Sequence, residues 1–293
     1  MSITVDEVKN MKLTFLGTGA AEGVPAMFCA CETCRLARKR GEYFTRSQLL
    51  IDDTIGVDFP PDAYLHALTL GEDFTKLCDL LITHSHMDHF YAHDFILRGY
   101  KYTQTQMQPL RIYGNAEVKK VYEECTRREL RNEVAASITV TVVQPFTPFF
   151  FGVQSAYTAT ALLAQHSKTE TAFVFLIEKE NKSYLHLTDT GRLPMETLDY
   201  LERRFSKSAR KIDFITFDCT FLFHTAGEIS RHMGLGDNRA MQEEFARRKI
   251  VDGHTKYAIT HYSHNSNPCK EALVRAETEY GYIAAYDGLS IDF

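Results

Sequence analysis

Thr83-His84-Ser85-His86-Met87-Asp88-His89 crowds three imidazoles and one carboxylate into a single short stretch. Ahead of it, residues 77–82 carry apolar side chains at Leu77, Leu80, Leu81 and Ile82, the composition of a short buried strand. Behind it, over residues 90–100, Phe90, Phe95, Ile96 and Leu97 recur at helical spacing. The cluster is therefore expected at the mouth of a strand, on a loop that opens a helix. Imidazole nitrogens and carboxylate oxygens are the ligands that zinc, manganese and iron accept. Two histidines two residues apart on a tight loop can grip one ion from one side. Asp88 and His89, entering the helix, point elsewhere and can grip a second.

Length and composition fit a globular chain with a real core: 293 residues, 44% hydrophobic and 24% charged. The net charge of -5 supplies no basic field to draw in nucleic acid. No apolar run approaches the roughly 18 residues that cross a bilayer. The first seven residues, Met-Ser-Ile-Thr-Val-Asp-Glu, have neither the basic nor the apolar region of a signal peptide. Cysteines number seven, an odd count, and three of them crowd into Cys29-Ala30-Cys31-Glu32-Thr33-Cys34. Without an export signal, metal binding is expected over a disulfide framework, and the location is expected to be cytoplasmic. The C-x-C-x-x-C spacing can fill three corners of a tetrahedral zinc site, with the fourth ligand coming from elsewhere.

The first strand, residues 11–16, runs into Gly17-Thr18-Gly19-Ala20-Ala21-Glu22-Gly23. This is neither a Walker loop nor G-x-G-x-x-G, and by itself it reads as a tight turn. The basic run Arg35-Leu-Ala-Arg-Lys-Arg40 reads as a solvated helix face or loop. Further strands are expected at 47–53, 55–58, 110–113, 138–143, 149–152, 156–163, 171–178, 182–187, 212–217, 257–260 and 289–293. Helices are expected at 61–70, 116–130, 194–205, 238–250 and 270–280. No internal repeat or linker-like change of composition breaks the chain. His166, Asp189 and His261 each follow an expected strand. His186 lies inside one, and His66, His93, His224 and His254 have no motif around them.

The pattern H-x-H-x-D-H resembles the signature of the metallo-β-lactamase-fold hydrolases. That resemblance implies an α/β fold, a four-layer αββα sandwich of two mixed sheets face to face with helices outside, here as one domain over residues 1–293. It also demands a later histidine, aspartate and histidine in that order, each after a strand, as His166, Asp189 and His261 are. By resemblance, one ion is held by His84, His86 and His166 and a second by Asp88, His89 and His261, with Asp189 between them. The cysteine cluster narrows the likeness to the PhnP-type phosphodiesterases of the carbon–phosphorus lyase pathway. In these, a histidine three residues beyond the last active-site histidine completes a structural zinc with the cysteines. Here that residue is His264, joining Cys29, Cys31 and Cys34.

The expected cofactors are therefore two divalent ions, zinc or manganese, and one structural zinc. The expected activity is hydrolysis of a small cyclic or nucleotide-type phosphodiester by a hydroxide bridging the paired ions. Asp88 would orient that hydroxide. His232, in the loop Ser230-Arg231-His232-Met233-Gly234, would protonate the leaving oxygen or bind phosphate, and Gly19 would lie against substrate. A small-molecule phosphodiester is the expected partner. No membrane is expected, nucleic acid is not favoured, and a homodimer is left open. Two relatives of the fold are the alternatives. One is a transfer-RNA 3′-processing endonuclease, whose long glycine- and proline-rich arm has no counterpart among the 8 prolines here. The other is a non-catalytic protein similar to the PqqB type of quinone-cofactor biosynthesis, in which the ligand set is often incomplete. The sequence departs most from the pattern at residues 90–115 and around 218–236.

Overall fold

The computed structural model describes residues 10–105 and 107–293. One seven-stranded sheet contains β1 (Lys12–Gly17), β2 (Gln48–Ile51), β3 (Ile55–Val57), β4 (Asp79–Leu81), β5 (Leu110–Gly114) and β6 (Ile138–Val142), with the C-terminal β14 (Leu289–Asp292) beside β1. The other contains β7 (Phe149–Phe151), β8 (Tyr157–Leu163), β9 (Phe173–Lys179), β10 (Lys182–Leu187), β11 (Phe214–Asp218), β12 (Lys256–Thr260) and β13 (Ile283–Ala284), in reverse order across the sheet. Both sheets mix parallel and antiparallel pairs.

Period-two alternation explains how three apolar layers arise from these strands. In β9, Phe173, Phe175 and Ile177 join Leu13, Phe15, Leu49 and Ile51 of the first sheet in the layer between sheets. Their neighbours Val174 and Leu176 face the other way, onto Leu198, Leu201 and Phe205 of helix α5 (Met195–Phe205). On the far side of the first sheet, Leu50, Leu80 and Ile112 meet Val118 of α3 (Ala116–Thr126) and Val134 of α4 (Asn132–Ala135). The result is the expected sandwich, helices outside and two sheets within. Each fully buried Leu, Ile or Phe contributes about 1.5–3 kcal/mol. No helix among the described residues is long and apolar enough to cross a membrane.

Parallel pairing of β10 with β11 and of β11 with β12 sets their C-terminal ends side by side. The residues that follow those strands, Thr188-Asp189, Cys219-Thr220 and His261, therefore emerge at one edge, the usual place for a site in an open α/β sheet. The region after the histidine loop differs from expectation. Instead of a helix over 90–100 there is a 3-10 helix over Ala92–Leu97. The Phe59 amide donates to the His89 carbonyl and the Tyr91 amide to the Phe59 carbonyl, each at 2.7 Å. Residues 89–91 are thus tied alongside Phe59, and the helix cannot begin before Ala92. The helix expected at 238–250 is α6 (Leu235–Arg247); it starts earlier because the Asp237 carboxylate accepts from the Gly234 amide at 3.2 Å.

Candidate metal centre

His84 and His86 leave β4 on a turn that Glu170 holds in place. The Glu170 carboxylate accepts from the Ser85 amide at 3.0 Å, the Ser85 hydroxyl at 2.8 Å and the Asn115 side chain at 2.7 Å. Nε2 of His84 lies 2.9 Å from Nδ1 of His86, and Nε2 of His166 lies 3.3 Å from the same atom. Asp189 reaches this group with Oδ2 at 3.3 Å from His84. It also reaches the second group, since the same oxygen is 3.0 Å from Nε2 of His89 and 4.0 Å from Nε2 of His261. Asp88 completes that group, 3.2 Å from His89 Nε2. Two sets of four side chains result, His84, His86, His166, Asp189 and Asp88, His89, Asp189, His261, each able to offer its donor atoms to one ion. All seven residues expected at the paired site come together.

Burial and hydrogen bonding test whether cations suit this arrangement. His89 Nε2, His166 Nδ1, Asp189 Oδ1 and His261 Nε2 are buried without a hydrogen-bond partner among the described residues. Unpaired polar atoms in the interior are costly, and these three ring nitrogens and one carboxylate oxygen are atoms that ions would take up. Asp189 and His261 also adopt left-handed backbone angles, φ 55° and 67°. For residues other than glycine that conformation persists only where the surroundings impose it. The donor set, imidazole and carboxylate, fits divalent ions of the zinc and manganese kind.

The outer contacts fix each ring. Asp58 Oδ2 lies 2.6 Å from His89 Nδ1, and its Oδ1 takes the Thr83 amide at 2.8 Å. Thr83 Oγ1 contacts His84 Nδ1 at 3.0 Å, and Thr220 Oγ1 contacts His261 Nδ1 at 2.8 Å. Such contacts set which ring nitrogen is free to bind. Charges are strongly coupled. Burial alone would raise the Asp88 carboxyl, but the neighbouring His89 holds it well below the usual carboxylate range. Burial would likewise lower His89, yet Asp88 and Asp58 push it well up. His166 follows burial and falls to about 4. The pocket is a nest of carboxylates whose charge asks for compensation by protons or cations.

His232 enters the same pocket from the loop before α6. Its Nδ1 is 3.1 Å from Asp218 Oδ2 and 3.0 Å from Asp189 Oδ1, and its ring stacks on His261 at 5.6 Å between centroids. Burial works against protonation there, but the Asp218 and Asp189 carboxylates push it up to about 10. The cavity over the centre measures about 290 Å³ and is bordered by His86, Asp88, His232, Phe221, Glu22 and Asn265. Gly19 is not against this space. Its amide donates to the Thr45 carbonyl at 2.6 Å, and a Cβ there would meet the Phe44 carbonyl oxygen at 2.4 Å. The glycine serves a close crossing of the chain with itself.

A second cluster stands apart. Cys31 and Cys34 Sγ lie 3.5 and 3.4 Å from His264 Nδ1, and Cys29 completes the group. Cys34 is buried, and its Sγ accepts from the Ala26 amide at 3.3 Å. Three sulfurs and one imidazole nitrogen match a tetrahedral zinc site. Two histidines outside the motif are otherwise occupied: His66 bridges Gln48 and Thr45, and His186 meets the Tyr184 hydroxyl at 2.8 Å. Asp58, Asp218 and Glu170 belong to no motif in the sequence. Asp58 and Asp218 do share one signal with Asp189, a carboxylate at the end of a strand, while Glu170 carries none.

Residues 49–262 match the family model described as the beta-lactamase superfamily domain. A crystal structure of a diphosphatase from the PhnP family superposes with a TM-score of 0.71 at 20% identity, covering 97% of each chain. Zinc-bound PqqB from Methylobacterium extorquens superposes at 0.69 with 17% identity, over 96% of this chain and all of that one. An octanoyltransferase of Porphyromonas gingivalis is 39% identical over 83 residues, which are 27% of this chain but only 16% of that protein's length. With a family model matched across more than half of its length and the sandwich described above, the chain belongs to the beta-lactamase superfamily, with the metallo-β-lactamase fold and its hydrolases.

Proposed function

We propose that the protein is a metal-dependent phosphodiesterase acting on a small cyclic or nucleotide-type phosphodiester. The observation that carries this reading is the group of buried ligand atoms without a hydrogen-bond partner, three ring nitrogens and Asp189 Oδ1, opening with His232 onto one small cavity. His84, His86 and His166 would hold one ion, and Asp88, His89 and His261 the other, with Asp189 serving both. Cys29, Cys31, Cys34 and His264 would hold a structural zinc. Paired divalent ions, when bound, acidify water and offset charge developing on a phosphoryl oxygen.

The remaining work falls to the chain itself. Asp58, Thr83 and Thr220 keep the imidazoles of His89, His84 and His261 turned towards the centre. Asp88 would align the attacking water. Asp218 engages Nδ1 of His232 at 3.1 Å, with the Asp189 charge beside it, while Nε2 has no hydrogen-bond partner among the described residues. A proton held on that nitrogen can pass to the departing alkoxide. The cavity of about 290 Å³ is at the lower edge of the size of small-ligand sites, which suits a small phosphodiester.

The test is metal analysis joined to a panel of cyclic phosphates, linear phosphodiesters, thioesters and lactams. Diester turnover that a chelator abolishes and zinc or manganese restores is the expected result. Turnover confined to thioesters or lactams would overturn the reading.

A further inference from the structure

The turn that borders the metal cavity has a second cavity on its other side. Ala20, Ala21 and Glu22 line the first, and Glu22 also lines the second, which measures about 650 Å³. The turn whose Glu22 borders both is held in place. The Ala20 amide donates to the Tyr262 carbonyl at 2.9 Å, and Arg46 Nε donates to the Ala21 carbonyl at 2.8 Å. A space of this size lies within the range of small-molecule sites, whereas the metal cavity falls at its lower edge.

Chemistry narrows what the larger cavity can hold. Its apolar lining includes Val24, Pro25, Leu65, Met27 and Tyr43, the last two being 68% and 60% exposed. Its cation, Arg46, is paired with Asp62 through Nη1 at 3.0 Å. Its carboxylates are engaged too. Asp287 takes hydrogen bonds from the amides and hydroxyls of Thr18 and Thr45, and Glu22 takes one from Ser263 at 2.6 Å. One arginine among three acids leaves no net positive charge to attract a second phosphate. Arg46 Nη2, which has no hydrogen-bond partner among the described residues, remains as a donor held in a fixed place. An aromatic ring, a thioether and one fixed N–H donor suit a flat, uncharged ring that carries an acceptor.

We propose that this cavity is a subsite for an uncharged heteroaromatic ring, of which a nucleobase is the type, belonging to the same ligand whose phosphoryl group enters the metal cavity. The ring site stands on the cavity alone; its link to the phosphoryl group rests on the phosphodiesterase reading above.

Adenosine, which has no phosphate, is the probe, titrated into the whole metal-loaded protein by calorimetry or NMR. Saturable binding is expected, weakened about tenfold or more by Tyr43→Ala, since one base–aromatic contact is worth about 1–3 kcal/mol. Arg46→Met should weaken it as well. That variant also removes the ion pair to Asp62, so the exposed Tyr43 carries the test. In turnover of adenosine 2′,3′-cyclic phosphate, Tyr43→Ala should raise KM about tenfold and move kcat far less, the mark of lost uniform binding. Absence of saturable adenosine binding, or equal binding by parent and Tyr43→Ala, overturns the subsite. Hydrolysis of bis(p-nitrophenyl) phosphate, followed in parallel, separates the two proposals. Turnover without adenosine binding removes only the subsite, and adenosine binding without turnover keeps the ring site and removes the phosphodiesterase reading.

Discussion

Asp218 Oδ2 lies 3.1 Å from Nδ1 of His232, and the same oxygen is 3.3 Å from Nδ1 of His261. One fully buried carboxylate therefore orients a ligand ring and the ring proposed to deliver a proton. Burial favours its neutral form, but the two imidazoles hold Asp218 well below the usual carboxylate range. Asp218→Asn keeps the shape and removes the charge. Loss of such an outer partner costs about 10–100-fold in metal affinity or activity. Both should fall in this variant while its circular dichroism matches the parent. Parent-like metal affinity together with parent-like turnover would remove Asp218 from the machinery.

His232 can be separated from the metal ligands by the leaving group. An acid in this position contributes about 10²–10⁴-fold where the departing oxygen is basic. A nitrophenolate leaves without help, an alkoxide does not. His232→Ala should therefore slow hydrolysis of an alkyl phosphodiester far more than that of bis(p-nitrophenyl) phosphate. Equal losses on the two substrates would assign His232 to phosphate binding and not to proton delivery.

Asp189 contacts both ligand groups and sits at φ 55°. Alanine is poorly suited to that backbone angle, whereas asparagine visits it readily. Asp189→Asn therefore tests charge with the least backbone disturbance. Turnover should drop by orders of magnitude and metal content should fall, because one carboxylate serves both groups. Full activity in a variant that holds no metal would end the metal-dependent reading.

Much of this site was legible because its ligands follow strands. A buried strand is apolar on both faces, as in residues 173–177, and a His or Asp directly after such a run stands out. His166, Asp189 and His261 each follow such a strand, in the order that the resemblance to the metallo-β-lactamase-fold signature requires. Long-range partners left weaker traces. Asp218 ends its strand as Asp189 follows its own, but nothing local tells a ligand from a carboxylate that steadies one. Glu170 reaches Ser85 across 85 positions, a distance no periodicity reports. The helix expected after His89 failed for a related reason: the apolar spacing was present, but the backbone of residues 89–91 was already committed to Phe59. The crossing of Gly19 with residues 44–46 is likewise remote in the sequence and adjacent only in the fold.

The cysteine cluster predicts an effect on stability. Cys31 Sγ is exposed and lies 3.5 Å from His264. A structural zinc draws its ligands into the folding equilibrium, so losing one thiolate loses binding energy from the folded state. Cys31→Ser should lose close to one zinc per chain and melt at a lower temperature, with the paired ions retained. Unchanged zinc content and melting temperature would leave the three cysteines as free thiols beside a histidine.

Asp287 predicts a pH dependence that belongs to the fold. Its Oδ1 accepts from the amide and hydroxyl of Thr18 at 2.9 and 2.6 Å, and its Oδ2 from those of Thr45 at 2.8 and 2.6 Å. Burial nevertheless pushes the carboxyl up to about 6, against the pull of those donors. A folded-state value above the ordinary 3.8 means that the folded chain binds this proton more tightly than the unfolded chain. The group therefore favours folding fully below about pH 4, and that contribution is lost as pH rises through about 6. A shift of this size corresponds to about 3 kcal/mol. Asp287→Asn cannot titrate, so parent stability minus variant stability should fall by about that amount between pH 4 and pH 7. Urea midpoints at matched pH measure it, and taking the difference cancels the carboxylates of Asp88 and Asp218, whose lowered values act in the opposite sense. A difference that stays flat or grows with pH would mean that the four donors outweigh burial and keep Asp287 ionised throughout.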